Sequence, residues 1–202
     1  MKAISRLLLV ALLGALAGCW PLSVNPLYEK DEGELPPGLA ATWVQPGDED
    51  FRYEFKEDAT RRGYDVKVTD KDGRITMLKA TAVALGDTTF LDVTPVGGSE
   101  DVPVWYMLTT LPMHAFFRME LTPDGELFIT AMKEDAMAKL LKATPEALPH
   151  RMVAVYDAEG VRTAERPLLT GTTAELRAFL SKHAKDGELF ADPVKLVRGE
   201  AP

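Results

Sequence analysis

Cysteine is almost absent: among 202 residues only Cys19 carries a thiol, so no internal disulfide staples the chain and no paired thiolates can hold zinc. Histidine is nearly as scarce. His114, His150 and His183 stand far apart, with no two at the i, i+4 spacing that a helix-borne metal pair needs, so neither a metal nor another cofactor is implied. Basic residues are too few and too scattered for the counterion release that drives nucleic-acid binding. The apolar run that opens the chain, residues 7–16, is too short to span a bilayer.

What is present begins with an address. Lys2 and Arg6 precede Leu7-Leu8-Leu9-Val10-Ala11-Leu12-Leu13-Gly14-Ala15-Leu16, the charged and apolar regions of a cleavable export signal covering residues 1–18. Leu16-Ala17-Gly18-Cys19 then resembles the lipobox of bacterial lipoproteins. The resemblance implies that Cys19 is the lipid attachment site and the first mature residue, carrying three acyl chains. At about 0.8 kcal/mol per buried methylene such an anchor is permanent, and it leaves no thiol for chemistry. Without Lys2 and Arg6 the 23 basic residues fall to 21 against 31 acidic ones, a net charge of −10. The membrane partner is therefore reached through lipid rather than a basic patch. Trp20 follows the Cys in place of the Asp that retains many such lipoproteins in the inner membrane. By resemblance, the location is the outer membrane, facing the periplasm.

Residues 19–38 carry four prolines, Pro21, Pro26, Pro36 and Pro37, among the acids Glu29, Asp31, Glu32 and Glu34, a composition that suits a lipidated tether. One folded domain is expected over residues 39–202. Aromatic and charged residues alternate over 51–56, and 64–69 alternates likewise. Asp70-Lys71-Asp72-Gly73 marks a turn into a partner strand, residues 75–85. Further strands are expected at 88–93, 104–108, 113–121 and 126–131, and others near 152–156, 166–169 and 194–197 would complete the sheet. Helices are expected near 135–142 and 173–186, the second opened by the capping box Thr172-Thr173-Ala174-Glu175. The fold class is mainly β with two helices, an antiparallel meander of about eight to ten strands closed into a barrel, because closure removes the edges.

The mature start, Cys19-Trp20-Pro21-Leu22-Ser23-Val24-Asn25-Pro26-Leu27-Tyr28, resembles an uncharacterised family of bacterial lipoproteins, and the likeness continues through Leu111-Pro112-Met113-His114-Ala115-Phe116-Phe117-Arg118 and Leu169-Thr170-Gly171-Thr172-Thr173-Ala174-Glu175-Leu176. It implies a lipocalin-like barrel and no known activity. Such domains open with Gly-x-Trp, where this chain has Ala41-Thr42-Trp43.

Candidate pocket residues are His114, Arg118 and Trp43. Alternation puts His114, Phe116, Arg118 and Glu120 on one face of a strand and Met113, Ala115, Phe117, Met119 and Leu121 on the other. The polar face is either a pocket mouth or the solvated outside of a barrel. Trp43 is expected in the core. His183 falls on the apolar stripe of the second helix and His150 in a loop. No Gly-x-Ser-x-Gly elbow surrounds Ser99 or Ser181, Gly97-Gly98 lacks the setting of a phosphate loop, and the acids Asp48, Glu49, Asp50, Glu134 and Asp135 read as solvated surface. The expectation is a non-enzymatic protein that binds a small apolar ligand in its barrel. The alternative is an assembly partner of another envelope protein, its barrel filled by Phe51, Tyr53, Phe55, Trp105 and Phe117. Cys19→Ser is expected to release the protein from the membrane with its fold intact. Fractionation of expressing cells checks this, and continued membrane association counts against lipidation.

Overall fold

The computed structural model describes residues 20–98, 113–156 and 159–200. Cys19, the export signal, Ser99, Trp105 and the strand expected at 104–108 lie outside them. Seven strands follow one another as a meander: β2 (Thr42–Gln45), β3 (Asp48–Asp58), β4 (Gly63–Asp70), β5 (Ile75–Leu85), β6 (Thr88–Gly98), β7 (His114–Leu121) and β8 (Leu127–Ala131). The last strand, β11 (Val194–Arg198), inserts between β8 and β2, pairing Leu196 with Leu127 and Arg198 with Trp43. Since β6 also pairs with β7, these eight strands form a closed antiparallel barrel.

Three more strands lie outside the ring. The short β1 (Leu22–Ser23) runs on in line with β8 along the same edge of β7, pairing Leu22 with Ala115. A hairpin of β9 (His150–Tyr156) and β10 (Arg162–Leu169) attaches to it, with β1 and β10 parallel. The strands expected at 152–156 and 166–169 do complete the sheet, but as a branch from the barrel rather than as members of its ring. Local alternation identifies strands but not which neighbour each one takes.

The outside of the barrel has two characters. Across β3, β4 and β5, outward-facing charges pair between strands, Lys67 to Glu54 at 3.1 Å and Lys79 to Asp65 at 3.2 Å. These partly exposed pairs contribute at most about 1 kcal/mol each and keep the surface solvated. Across β5, β6 and β7 the outward residues Val83, Leu85, Phe90 and Phe116 are buried. They form one cluster with Met137 and Leu141 of α1 (Glu134–Ala143) and Leu176, Phe179 and Leu180 of α2 (Thr173–His183). The capping box of α2 forms as expected, Thr172 accepting from the Glu175 amide while the Glu175 carboxylate accepts from that of Thr172. That stretch of barrel wall carries apolar residues on both faces, Ala82 inward and Val83 and Leu85 outward all buried, which is why residues 82–85 are apolar without alternation.

Residues 20–38, expected as a tether, are instead a strap laid on the barrel. Ser23, Leu27 and Leu39 are fully buried, and burying each leucine contributes about 1.5–3 kcal/mol. The prolines are compatible with this because the remaining polar groups find distant partners. The Val24 amide donates to the Leu169 carbonyl and the Glu34 amide to that of Ala82. Asn25 donates to Gly171, and Arg177 and Arg62 donate to the carbonyls of Leu27 and Gly33. At Gly33 a Cβ would stand 1.8 Å from the Arg62 carbonyl oxygen, so only glycine permits the approach.

The central stitch is Asp92, on the outward face of β6 and 2% exposed. One carboxylate oxygen accepts the Leu27 amide at 2.7 Å, and the other lies 2.6 Å from His114 Nδ1, which also lies 3.0 Å from the Thr94 hydroxyl. The face carrying His114 and Arg118 is the outside of the barrel, as alternation allows, but it is covered rather than solvated. Removing the imidazole strands a buried carboxylate on one remaining amide. His114→Ala is therefore expected to lower stability by about 3 kcal/mol, the cost of breaking a buried pair. A urea midpoint within error of the wild type would show that the pair does not hold the strap.

Candidate functional site

The barrel's inward residues follow from register. Rows such as Phe117–Leu91–Ala82 and Trp43–Tyr53–Val68 lie on one side of the sheet and belong to a single apolar cluster. Phe51, Tyr53, Phe55 and Phe117, the described candidates for filling the interior, all face inward on this register.

The two ends differ. At one end, where β3 turns into β4, β5 into β6 and β7 into β8, the strap enters the barrel and closes it. Leu39 is fully buried there, its carbonyl accepts the Trp43 indole N–H at 2.9 Å, and the Arg198 guanidinium stacks on the Trp43 ring at 5.3 Å while donating to the Gly38 carbonyl. Tyr64 packs in this layer, 1% exposed. Burial, and secondarily the charge of Glu57, pushes its hydroxyl up to about 12, the behaviour of a phenol in a dry surrounding.

At the opposite end, where β2 turns into β3 and β4 into β5, inward side chains become partly exposed. The change occurs along single strands: Tyr64 and Val66 to Val68 on β4, Ala82 and Ala80 to Leu78 on β5, Leu91 to Val93 on β6, Leu127 to Ile129 and Ala131 on β8, and Leu196 to Val194 on β11. The pattern does not hold on every strand: on β7 the inward Ala115 and Phe117 stay buried, with Trp20 edge-on to Phe117 at 4.9 Å between ring centroids; on β3 the described inward side chains Phe51, Tyr53 and Phe55 are all partly exposed; and on β5 Ala84, at the floor end, is exposed. Among the described residues the arrangement is a cup, with a floor built by Leu39, Trp43 and Tyr64 and inward apolar side chains that are partly exposed toward the other end, its rim; residues 99–112, which join β6 to β7 at that end, lie outside the described residues. At the rim a shallow groove is lined by Asp50, Phe51, Asp70, Lys71 and Arg74, in which Arg74 pairs with Asp70 and also with Asp72.

Of the three candidate pocket residues, only Trp43 belongs to the cup. His114 is stitched to Asp92 on the other side of the wall. Arg118 donates to the Ala184 carbonyl behind α2 and lies 5.0 Å from the Phe190 ring. The other histidines are also engaged in packing: His183 stacks on Phe179 at 4.6 Å, and His150 contacts the Leu148 carbonyl. Sequence reading missed Leu39 and Arg198, which build the floor with Trp43. The signal available was weak, an Arg ending the final strand opposite a Trp near the start of the short β2. Among the described residues no group of three or more His, Cys, Asp or Glu is placed to hold a metal ion, and no helix is long and apolar enough to cross a membrane.

No protein-family model, curated protein or solved structure matches the chain.

Trp43→Ala empties the floor of the cup. The expected loss is about 3–5 kcal/mol, the range for truncating a fully buried large aromatic, read as a lower urea midpoint. An unchanged midpoint would remove Trp43 from the core.

Proposed function

We propose that the protein is a lipid-anchored, non-enzymatic binder of a small apolar molecule held in the barrel. The observation that carries this reading is the burial gradient inside the cup. Apolar inward side chains are sealed at the floor by Leu39, Trp43 and Tyr64, but Val68, Leu78, Val93 and Val194 are left partly exposed toward the rim. An eight-stranded barrel is just wide enough for one small ligand, and a concave apolar wall with a few polar groups at its edge is the common form of such a site. The lipobox-like Leu16-Ala17-Gly18-Cys19 adds the anchor, and the acidic balance leaves attachment to the acyl chains.

A second reading, docking onto another envelope protein, is favoured by one feature. β9 is the terminal strand of the sheet order, and its Val153 and Tyr156 are 45% and 60% exposed. An apolar edge strand of this kind accepts a partner strand readily.

Native mass spectrometry on the soluble Cys19→Ser protein, whose own acyl chains are absent, separates the two. The expected spectrum, after incubation with extracted envelope lipids, shows one apolar molecule per chain, displaced when Val93→Trp fills the upper cup. A protein that stays empty against those lipids while cross-linking through β9 to one envelope protein would replace the carrier reading with the docking one.

A further inference from the structure

We infer that the free edge of β9 pairs antiparallel with the same strand of a second copy of this chain, across a two-fold axis at Val153. This rests on neither reading of what the barrel holds, and it gives the edge an occupant other than a different envelope protein. Three observations carry it.

The first is that nothing on the edge blocks pairing. β9 ends the sheet order, and among the described residues β10 is the one strand it pairs with. Its sequence, His150-Arg151-Met152-Val153-Ala154-Val155-Tyr156, holds no proline or glycine and a single formal charge. The one irregularity of the hairpin, between Arg162 and Ala164, falls on β10. Edges are ordinarily guarded by shortness, prolines, bulges or charges, whereas this one runs for 7 residues with one Arg.

The second is the direction of the backbone groups. The Leu169 carbonyl accepts the Val24 amide, so Leu169 turns toward β1. Direction alternates along a strand, and Arg166 and Leu168 therefore turn toward β9, where they stand opposite Val153 and Arg151. Pro167, with no N–H to donate, stands opposite Met152, where the ladder to β9 needs none. Met152 and Ala154 are thus left directing N–H and C=O away from β10.

The third is that the strand complements itself. About an axis at Val153, Met152 of one copy lies opposite Ala154 of the other, and these two exchange the outward N–H and C=O groups. The side chains agree with the same register. Val153, 45% exposed, meets its own counterpart, and the long Met152 meets the short Ala154. Arg151 faces Val155 rather than a second Arg, and Tyr156, 60% exposed, faces His150. An isologous contact requires such self-complementarity. A chain of net charge −8 repels its own copy over most of its surface, but β9 carries no acid.

The test uses the full chain with Cys19→Ser, so that a thiol introduced elsewhere is the only one. In the inferred register the two Val153 Cα atoms stand about 4.5 Å apart, within disulfide reach, while the two Val161 residues lie about 20 Å or more apart along the strands. Oxidation with diamide is expected to link Val153→Cys into a covalent dimer and to leave Val161→Cys unlinked. Absence of linkage at 153, or linkage as efficient at 161, overturns the pairing. Sedimentation of the thiol-free protein across a concentration series is expected to show a monomer–dimer equilibrium. Val153→Asp sets two carboxylates face to face at a position exposed in the monomer, and is expected to raise the dissociation constant at least about tenfold with the urea midpoint unchanged. A protein that sediments as a monomer throughout, or a dimer that Val153→Asp leaves as tight, overturns the inference, as does a monomer whose β9 cross-links only to a different envelope protein. The carrier reading is scored apart from this: an apolar molecule bound to a monomer keeps that reading and sinks the pairing, and an empty dimer does the reverse.

Discussion

The strap depends on one buried carboxylate. Asp92 sits on the outward face of the barrel wall, almost without solvent, where an ion is tolerated only if its lone pairs are filled. The Leu27 amide and the His114 imidazole fill them. This holds the middle of residues 20–41; upstream, β1 pairs with β7 and Trp20 packs on Phe117, and downstream, Gly33 passes against Arg62 and Leu39 enters the floor. A carboxylate outside the barrel thus holds the same segment that further on closes one end with Leu39.

The wall between these features is buried on both faces over β5 to β7, and this has a structural consequence. Helices packed on the outside stiffen that arc, so the cup's shape there is set by Phe90, Phe116 and the α2 leucines rather than by anything inside. The opposite arc, across β3 and β4, carries partly exposed ion pairs on its outer side, and every described inward side chain of β3 is at least partly exposed. Few buried contacts on a wall make it the easier one to displace. Any adaptation of the cup to the size of an occupant would fall on β3 and β4, next to the rim groove at Phe51 and Asp70.

Much of the barrel was legible in the sequence because a half-buried strand writes its orientation into every second residue. The alternation of 51–56 and 64–69, the Asp-Gly turn at 72–73 and the Thr172–Glu175 capping box are local signals, and they correspond to β3, β4, the β4–β5 turn and the start of α2. The strap was not legible. Its buried residues Ser23, Leu27 and Leu39 have no period, and its hydrogen bonds to the rest of the domain reach partners 29 to 150 residues away. Composition therefore reported only its prolines and acids. The His114–Arg118 face failed for a related reason: alternation says which face a side chain takes but not what lies over it. Of the candidate site, Trp43 was visible as an aromatic at the opening of the domain. The Leu39 carbonyl that holds its indole and the Arg198 that covers its ring are tertiary partners.

The asymmetry of the interior remains the strongest physical constraint on function. Leaving apolar wall accessible to water forgoes about 25 cal/mol for every Å² not buried, and this chain has the means to avoid that loss, as its floor demonstrates with Leu39, Trp43 and Tyr64. Toward the rim the described inward side chains, Phe51, Val68, Leu78, Val93 and Val194 among them, are partly exposed. A barrel whose task was only to display its outer surface would be more stable with the upper layer filled like the lower one. Apolar side chains left partly exposed there carry that cost, and an occupant that contributes further apolar contacts would offset it. That is the physical sense in which the cup, rather than the exposed β9 edge, is the better candidate for the working part of the molecule.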